Sequence, residues 1–164
     1  MLLRWYGDAG SPHFWNLHRR ILTYRGFLEQ LQQMLNSTEL RVICQLPSRE
    51  PIGYCQTYSI RSWDGWAYVT MFLTPEHRYG EEPVEAAILG VDAAFSAHPL
   101  RKIYSDVYGF SSYLQAALET IGFSEEGITP NHYWFNDQFW ARLRLALYRE
   151  QWQELRARAD DATA

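Results

Sequence analysis

Three strand-like segments follow one another closely in the first half of the chain, and their connections are short. Segments 40–46 (LRVICQL), 52–60 (IGYCQTYSI) and 66–73 (WAYVTMFL) are rich in β-branched and aromatic residues. A proline-containing turn joins the first two segments, and the hairpin-turn dipeptide Asp64-Gly65 lies between the last two. The sequence therefore predicts a three-stranded antiparallel meander.

The pattern changes to helix after this meander. Pro83 suits the first turn of a helix, and apolar residues then recur at three- and four-residue steps, namely Val84, Ala87, Ile88, Val91 and Phe95. Segment 101–109 (RKIYSDVYG) returns to a strand. A second helix is predicted to open at Ser112, with Gln115 completing a capping box, and to end at Gly122.

Both ends of the chain carry further predicted elements. Residues 2–6 (LLRWY) predict an opening strand. Apolar residues at helical spacing over positions 14–35 predict helices that Gly26 divides. Residues 132–148 predict either two closing strands or one long bent strand. Residues 149–164 predict a short helix that frays from about residue 157 to the end.

Together these elements predict one α+β domain over residues 1–164, with a mixed, mostly antiparallel twisted sheet flanked by helices. An unrelated α+β sandwich has the same element order, so the order alone leaves that alternative open. Trp152 follows the closing strand and starts an amphipathic helix. We expect it to pack under the sheet as a core anchor rather than to line a cleft.

Composition and charge argue against some classes of function. The formal net charge of −4 argues against nucleic acid as a partner. The sequence has no run of about 20 apolar residues, and its N-terminal apolar stretch is too short for a signal peptide, so a cytoplasmic protein without a membrane partner is expected. The 15 basic residues include a single lysine, Lys102, a bias that suits a GC-rich bacterial genome.

The cysteines, histidines and aromatic residues are weaker indicators of function than the charge. Cys44 and Cys55 lie in strand-like segments, where we expect buried inert thiols, with a disulfide between neighbouring strands as the alternative. His13, His18 and His98 lack the spacing of metal ligands, so no metal site is expected. Aromatic residues make up 16% of the chain, which favours an aromatic-lined cleft or a partner surface.

Three segments resemble the GNAT superfamily of N-acyltransferases, and in particular its ribosomal-protein N-terminal acetyltransferase branch. Residues 73–87 (LTPEHRYGEEPVEAA) stand where the family has its strand, acyl-CoA pyrophosphate loop and following helix. Residues 118–127 (LETIGFSEEG) resemble the GF…EG signature of the branch, and residues 145–152 (LALYREQW) resemble its closing strand and terminal Trp. The resemblance implies a GNAT-like fold, acyl-CoA as co-substrate, a small-molecule or peptide amine as acceptor, and a monomer or homodimer.

The resemblance also assigns a cofactor site. In the family, the strand that corresponds to residues 66–73 splays from the strand that corresponds to residues 102–109, and the pantetheine arm lies in the notch between them. Backbone N–H groups at the N-terminus of the following helix attract the phosphates. The cofactor-binding residues that follow from this are Met71, Phe72, Leu73, Arg78, Tyr79, Gly80, Ser111 and Ser112.

The phosphate loop departs from the family pattern. The family has Gln/Arg-x-x-Gly-x-Gly/Ala, whereas this chain has His77-x-x-Gly80-x-Glu82, with Arg78 as an alternative basic position. A carboxylate about 6 Å from a phosphate costs on the order of 1 kcal/mol in a partly solvated site, so Glu81 and Glu82 predict weakened CoA binding. The alternative is that these acids only stabilise the dipole of the following helix.

The residues for proton transfer differ as well. Many members carry a Tyr four residues before the glycine of GF, and Leu118 stands there in this chain. Ser111 or Ser112 is the hydroxyl that could replace it, with helix capping as the alternative role. The bases that position alone allows are Asp106, Tyr54, Tyr58 and His132. We predict Ser111, Asp106 and Tyr58 as the catalytic residues.

Two functions are therefore compatible with the sequence. The first is an acyl-CoA-dependent N-acyltransferase, which the three matching segments favour. The second is a protein that keeps the GNAT fold, has lost acyl-CoA use, and binds or transforms another, hydrophobic ligand in an aromatic cleft. The altered glycine loop and the missing Tyr favour the second function.

Overall fold

The computed structural model describes Trp5 and residues 23–163. Within residues 23–163 the chain forms four helices, six strands and one 3₁₀ turn at Pro75–His77. Their bounds are α1 Tyr24–Leu35, β1 Thr38–Gln45, β2 Glu50–Arg61, β3 Trp66–Leu73, α2 Glu82–Ala97, β4 Lys102–Tyr108, α3 Ser112–Thr120, β5 Ser124–Phe135, β6 Gln138–Tyr148 and α4 Arg149–Thr163. None of the helices in this part of the chain has the length and apolar character needed to cross a membrane.

The six strands form one sheet in the order β1-β2-β3-β4-β6-β5. Every neighbouring pair is antiparallel except β3 and β4, which are parallel. Parallel neighbours need a long crossover, and α2 provides it. The predicted α+β class, with a mixed and mostly antiparallel sheet, is confirmed.

The meander of β1, β2 and β3 is also as predicted. Arg61 of β2 pairs with Trp66 of β3 and closes the hairpin. Gly65 lies between them at φ +72°, a left-handed conformation that glycine adopts without steric cost. The Asp64-Gly65 dipeptide therefore marks the turn.

Helices α2 and α3 cover one face of the sheet. Alternate residues of β3 and β4 point to this face and form its buried layer, namely Val69, Met71, Ile103 and Val107. They pack with Val91 of α2 and Leu114 of α3 in one core. Burial of each such side chain stabilises the fold by about 1.5–3 kcal/mol, so this face is the structural side of the sheet.

Trp152 of α4 belongs to the same core, where it is 5% exposed. Its indole Nε1 donates to Oδ1 of Asp92 on α2 at 2.8 Å, so the buried N–H has a partner. The predicted core position is confirmed. The helix itself is longer than predicted. It continues to Thr163, whereas fraying was expected from about residue 157.

α3 begins at Ser112, as predicted, but the residue that caps the helix is Ser111 rather than Ser112. Ser111 is the N-terminal cap, and its carbonyl accepts hydrogen bonds from Leu114 at 3.1 Å and Gln115 at 3.2 Å. The Ser111 side chain makes no capping hydrogen bond. The capping box at Ser112 is therefore wrong, because the cap lies at Ser111 and the Gln115 side chain donates to Oε1 of Glu119 at 2.9 Å.

Gly122 ends α3 as predicted. Its φ of +95° is one that side chains rarely adopt. The N–H of Phe123 donates to the carbonyl of Leu118 at 3.0 Å, and the N–H of Gly122 donates to Glu119 at 3.0 Å. This is a Schellman-type helix end. A Cβ at Gly122 would lie 2.6 Å from Leu155, so the glycine also permits close packing of α4.

The predicted opening strand is wrong at Trp5, which is helical. The Trp5 ring lies 5.7 Å from the ring of Phe72 and belongs to a buried cluster with Tyr54. This packing on the sheet outweighs the local strand propensity. The rest of the opening strand, the helical positions before Thr23, and His13 and His18 lie outside the described residues.

Gly26 does not divide a helix. α1 begins at Tyr24, and Gly26 lies in its first turn. The hydroxyl of Thr23 accepts a hydrogen bond from the N–H of Gly26 at 3.1 Å. The helix boundary therefore falls at Thr23, because its side chain satisfies an N–H group of the first turn.

The closing segment forms two strands rather than one bent strand. They meet at Asn136 and Asp137, whose φ values of 49° and 58° are those of a tight hairpin turn. β5 begins at Ser124, well before the predicted start at residue 132. β5 is an edge strand of the sheet, and its first half is polar. The sequence therefore shows no apolar run there.

The two cysteines differ in environment. Cys55 is buried, and burial raises the pKa of its thiol to about 11, so it is inert as predicted. Cys44 is exposed, so the expectation of burial is wrong for it. β1 is an edge strand and has a register shift between Ile43 and Cys44. Cys44 pairs with Pro51 in the ladder, Cys55 pairs with Arg41, and both thiols are free.

Candidate active site

Strands β3 and β4 are joined for only three residue pairs and then separate. The pairs are Trp66 with Lys102, Ala67 with Ile103 and Tyr68 with Tyr104. Beyond them, residues 69–73 of β3 keep their ladder with β2 but have no ladder with β4. We call this opening the β3–β4 notch. The predicted splay is confirmed, and it leaves one backbone edge of β3 facing the notch.

Arg78 lies at the end of the notch. Its Nε donates to the carbonyl oxygen of Leu73 at 2.9 Å. Its guanidinium carbon is 5.5 Å from the ring centre of Phe72 and 5.4 Å from that of Tyr113 on α3. Burial raises the pKa of Tyr113 to about 12, against the opposing charge of Arg78. Arg78 therefore connects the end of β3 to the first turn of α3.

The loop between β3 and α2 presents backbone N–H groups. Gly80 has φ +107°, and Tyr79 is exposed. The amides of residues 79–82 donate to no other backbone group in the described part of the chain. These N–H groups precede a 16-residue helix, whose dipole adds positive potential at the same place. The backbone of this loop is therefore suited to an anion such as phosphate.

The two acids of the loop are placed differently. Oε1 of Glu82 is 3.6 Å from Nδ1 of His77, and a Cβ at Gly80 would lie 2.8 Å from Oε2 of Glu82. The Glu82 carboxylate thus lies over Gly80. Glu81 is exposed and makes no side-chain capping bond. Of the two acids, Glu82 is the one that opposes an anion at the loop.

A row of tyrosines crosses the sheet at the closed end of the notch, on the face opposite α2 and α3. The rings of Tyr58 and Tyr68 are stacked at 5.4 Å, and those of Tyr68 and Tyr104 lie 5.3 Å apart. Burial, with the nearby charge of Asp106, raises the pKa of Tyr58 and of Tyr68. These phenols stay protonated at neutral pH, so they act as hydrogen-bond donors rather than bases.

Asp106 lies on the same face, two residues beyond the point where β4 leaves β3. Arg144 holds it with two hydrogen bonds, Nε to Oδ1 at 2.9 Å and Nη2 to Oδ2 at 3.1 Å. Nη1 of Arg142 is 3.7 Å from Oδ2. The guanidinium of Arg144 also lies over the rings of Tyr68 and Tyr104, at 5.3 and 5.7 Å. One carboxylate therefore lies between two guanidinium groups.

A second aromatic group surrounds Phe110, just before Ser111. We call it the Phe110 cluster, and its members are Tyr108, Phe110, His132, Tyr133, Phe135 and Trp140. The rings of Tyr108 and Phe110 are parallel within 7° at 5.5 Å. The ring of Tyr133 lies 4.9 Å from Tyr108. The cluster covers the open end of β4 with ring surface.

The predicted site residues fall into two groups. The contact of Arg78 with Tyr113 brings the start of α3, with buried Ser111 and exposed Ser112, to the same end of the notch as the loop. Asp106 and Tyr58 lie on the sheet face with the tyrosine row. The other two candidate bases are Tyr54, which is buried against Phe72, and His132, which stacks on Tyr108.

The sequence predictions did not include four residues of this region as site residues, namely Phe110, Tyr113, Arg142 and Arg144. Arg142 and Arg144 alternate with leucines, a pattern that indicates a half-buried strand and no particular partner for either arginine. The partner of Arg144 is 38 residues away in the chain. A pairing over that separation leaves no periodic signal in the sequence.

No protein-family model matches the chain, and no curated protein sequence matches it. Solved structures do match. A spermidine N-acetyltransferase from Vibrio cholerae, in complex with CoA and spermine, superposes with a TM-score of 0.75 at 18% identity, over 84% of this chain and 82% of that chain. A ribosomal-protein-S5-alanine acetyltransferase from Vibrio fischeri superposes with a TM-score of 0.70 at 16% identity, over 91% of this chain and 86% of that chain.

These superpositions extend over most of the chain. At such low identity they establish a shared fold, and activity has to be argued from the site itself. The resemblance found in the three sequence segments is thereby supported by the whole architecture. The chain has the fold of the GNAT acetyltransferases.

Proposed function

We propose that this protein is an acyl-CoA-dependent N-acyltransferase that transfers an acetyl or another acyl group to an amine of a small molecule or a peptide. The observation that carries the proposal is the β3–β4 notch, where a strand edge opens beside a helix N-terminus with unengaged backbone N–H groups. The fold is shared with an acetyltransferase whose structure contains CoA.

The residues around the notch fit the chemical parts of acyl-CoA. The amides of residues 79–82 suit the phosphates, and Arg78 supplies a positive charge next to them. The free edge of β3 suits the amide groups of pantetheine. Glu82 opposes the phosphates and weakens their binding. The proposed cofactor-binding residues are Met71, Phe72, Leu73, Arg78, Tyr79, Gly80, Ser111 and Ser112.

When bound, acyl-CoA would supply a thioester whose acyl carbon is open to attack by an amine. The transfer forms an N–C bond, breaks a C–S bond, removes one proton from the amine and adds one proton to the sulfur. We assign proton donation to the hydroxyl of Ser111, which makes no capping bond. We assign acceptance of the amine proton to Asp106, directly or through water, and hydrogen-bond donation to Tyr58.

A second candidate function is favoured by two observations. The carbonyl of Leu73 is already engaged by Arg78, and the Glu82 carboxylate lies over Gly80. Both side chains compete with acyl-CoA for its proposed contacts. In this alternative the protein has lost acyl-CoA use, and the aromatic surface of the notch and the Phe110 cluster binds another, hydrophobic ligand.

Calorimetric titration with CoA and acetyl-CoA separates the two functions. The acyltransferase proposal expects binding of both below millimolar concentration, and release of free thiol from acetyl-CoA when an amine acceptor is present. Absence of binding at millimolar CoA would favour the second function.

Two glycine variants make this test specific to the loop. Gly80→Ala places a side chain at φ +107° and 2.8 Å from the Glu82 carboxylate, so we expect CoA affinity to fall about tenfold or more. Gly65→Ala introduces the same kind of strain at φ +72° in the hairpin at the other end of β3. We expect Gly65→Ala to retain wild-type affinity, and equal losses in both variants would contradict a phosphate site at Gly80.

A further inference from the structure

We propose that the amine acceptor of this protein carries a carboxylate, which Arg142 binds, next to an aromatic or apolar body, and that polyamines are poor acceptors. This inference rests on the proposed N-acyltransferase function and names the substrate class of that site. It is carried by the charges and the ring surface on the sheet face around Asp106.

Among the described residues, the charge balance of this face is positive. Arg144 and Arg142 both form ion pairs with Asp106. Asp106 is the one carboxylate in this group of described residues. Arg144 engages both oxygens of the carboxylate. One positive charge therefore remains in excess. A cationic acceptor with several ammonium groups meets repulsion here, whereas a carboxylate meets attraction.

Arg142 has donors left for a ligand. Among the described residues its Nη2 donates to Oγ1 of Thr129 at 3.3 Å, and its Nη1 is 3.7 Å from Asp106. A guanidinium has five N–H donors in a planar fork that matches a carboxylate. The Arg142 side chain is 28% exposed, so these donors are reachable. Arg144, in contrast, is committed to Asp106 and to two tyrosine rings.

The surroundings of Arg142 specify the rest of the acceptor. Arg142 is the register partner of Tyr108, and that ring stacks with Phe110 and lies 4.9 Å from the ring of Tyr133. An apolar or aromatic group gains stacking contact on this surface. The binding group for the carboxylate is therefore next to a surface for a ring.

The spacing along β4 gives the size of the acceptor. Asp106 and Tyr108 are two residues apart on one face of a strand, which corresponds to roughly 7 Å. Arg142 reaches back towards Asp106 from the Tyr108 position. An amine near Asp106 and a carboxylate on Arg142 thus belong to a molecule the size of an amino acid, and L-phenylalanine is a suitable probe.

The test compares three amines, each in a binding and a transfer assay. L-Phenylalanine and phenethylamine share the ring and the amine and differ in the carboxylate, and spermidine is a polycation. Binding is measured by calorimetry with and without CoA, and transfer is measured with acetyl-CoA. Arg142→Gln is compared with Arg158→Gln, a substitution at a highly exposed position of α4 (77% exposed).

We expect L-phenylalanine to bind at least tenfold more tightly than phenethylamine, and Arg142→Gln to remove that difference while Arg158→Gln keeps it. Binding with this pattern but without transfer would uphold the inference on the acceptor and reject the proposed activity. Transfer to spermidine or phenethylamine in preference to L-phenylalanine would overturn the inference and leave the activity standing. Absence of binding by all three amines also overturns it.

Discussion

Arg78 donates a hydrogen bond from Nε to the carbonyl oxygen of Leu73, at 2.9 Å, and so covers the last backbone acceptor of β3. The same guanidinium lies between the rings of Phe72 and Tyr113. Leu73 belongs to the edge proposed for pantetheine, and Arg78 belongs to the loop proposed for phosphate. One side chain is therefore connected to both parts of the proposed cofactor site.

Arg78→Ala is expected to separate these two roles. The substitution removes the Arg78 hydrogen bond to the Leu73 carbonyl, so S-acetylpantetheine, which lacks the nucleotide phosphates, should bind up to about tenfold more tightly. Acetyl-CoA loses a charged partner for its phosphates and should bind more weakly. Calorimetry with both ligands measures the two changes.

The control for this comparison is Arg25→Ala, since Arg25 is 90% exposed and, among the described residues, forms its ion pair along α1 with Glu29. It should leave both affinities unchanged. If Arg78→Ala shifted both ligands in the same direction, Arg78 would not have the two separate roles.

Glu82→Gln is expected to tighten CoA binding. Removal of one charge near the phosphates recovers on the order of 1 kcal/mol, which corresponds to about fivefold in affinity. Glu81→Gln is the matched control, because Glu81 is exposed and lies next to Glu82 in the chain. The difference should diminish at high salt, since partly exposed charges are screened.

Equal effects of the two substitutions on the Kd for CoA would show that the position of the Glu82 carboxylate over Gly80 is unimportant. No effect of either would show that phosphate does not bind at this loop. Titrations at low and high salt distinguish these results.

Local signals predicted most of the architecture. Gly65 and Gly122 mark turns through their backbone conformation, and Trp152 was placed correctly because it follows an apolar strand and starts a helix. The splay between β3 and β4 follows from the element order together with the resemblance. Two of the failed predictions, at Cys44 of β1 and Ser124 of β5, concern edge strands, which alternate less strictly than central strands.

The side-chain pairings of the site were beyond sequence reasoning. Arg144 with Asp106, and Arg78 with Leu73, depend on how strands and loops approach in three dimensions. Asp106 is a candidate base by its position in the sequence, but no sequence pattern indicates that an arginine pairs with it. The charge balance of the face, which decides the proposed acceptor class, follows only from these pairings.

The Lys102–Glu126 pair gives an expected pH dependence of stability. Lys102 is 6% exposed, and its Nζ lies 3.0 Å from both Glu126 oxygens. Burial opposes the charged form of each group, but their mutual hydrogen bonds and those of Tyr148 raise the pKa of Lys102 and lower the pKa of Glu126. A carboxyl with a lowered pKa stabilises the fold above its unfolded value near 4.5, and this contribution is lost as pH falls through the folded value.

Urea unfolding as a function of pH measures this contribution. We expect the free energy of unfolding to fall more steeply below about pH 5 in wild type than in Glu126→Gln. At pH 7, Glu126→Gln should cost about 2 kcal/mol or more, because it leaves a buried ammonium group without its partner. Lys102→Met combined with Glu126→Gln should recover most of that loss, and a double variant as unstable as the single one would contradict this account.

Trp152→Ala is expected to lower the free energy of unfolding by about 3 kcal/mol or more, because it leaves a large cavity between α4 and the sheet. Trp152→Phe keeps most of the volume and loses the hydrogen bond to Asp92, so its cost should be about 1 kcal/mol from the unpaired acceptor and the smaller ring. Urea unfolding at neutral pH measures both values. A loss below about 0.5 kcal/mol for Trp152→Ala would mean that α4 is not anchored to α2 through this indole, and the buried position of Trp152 would then contribute little to the fold.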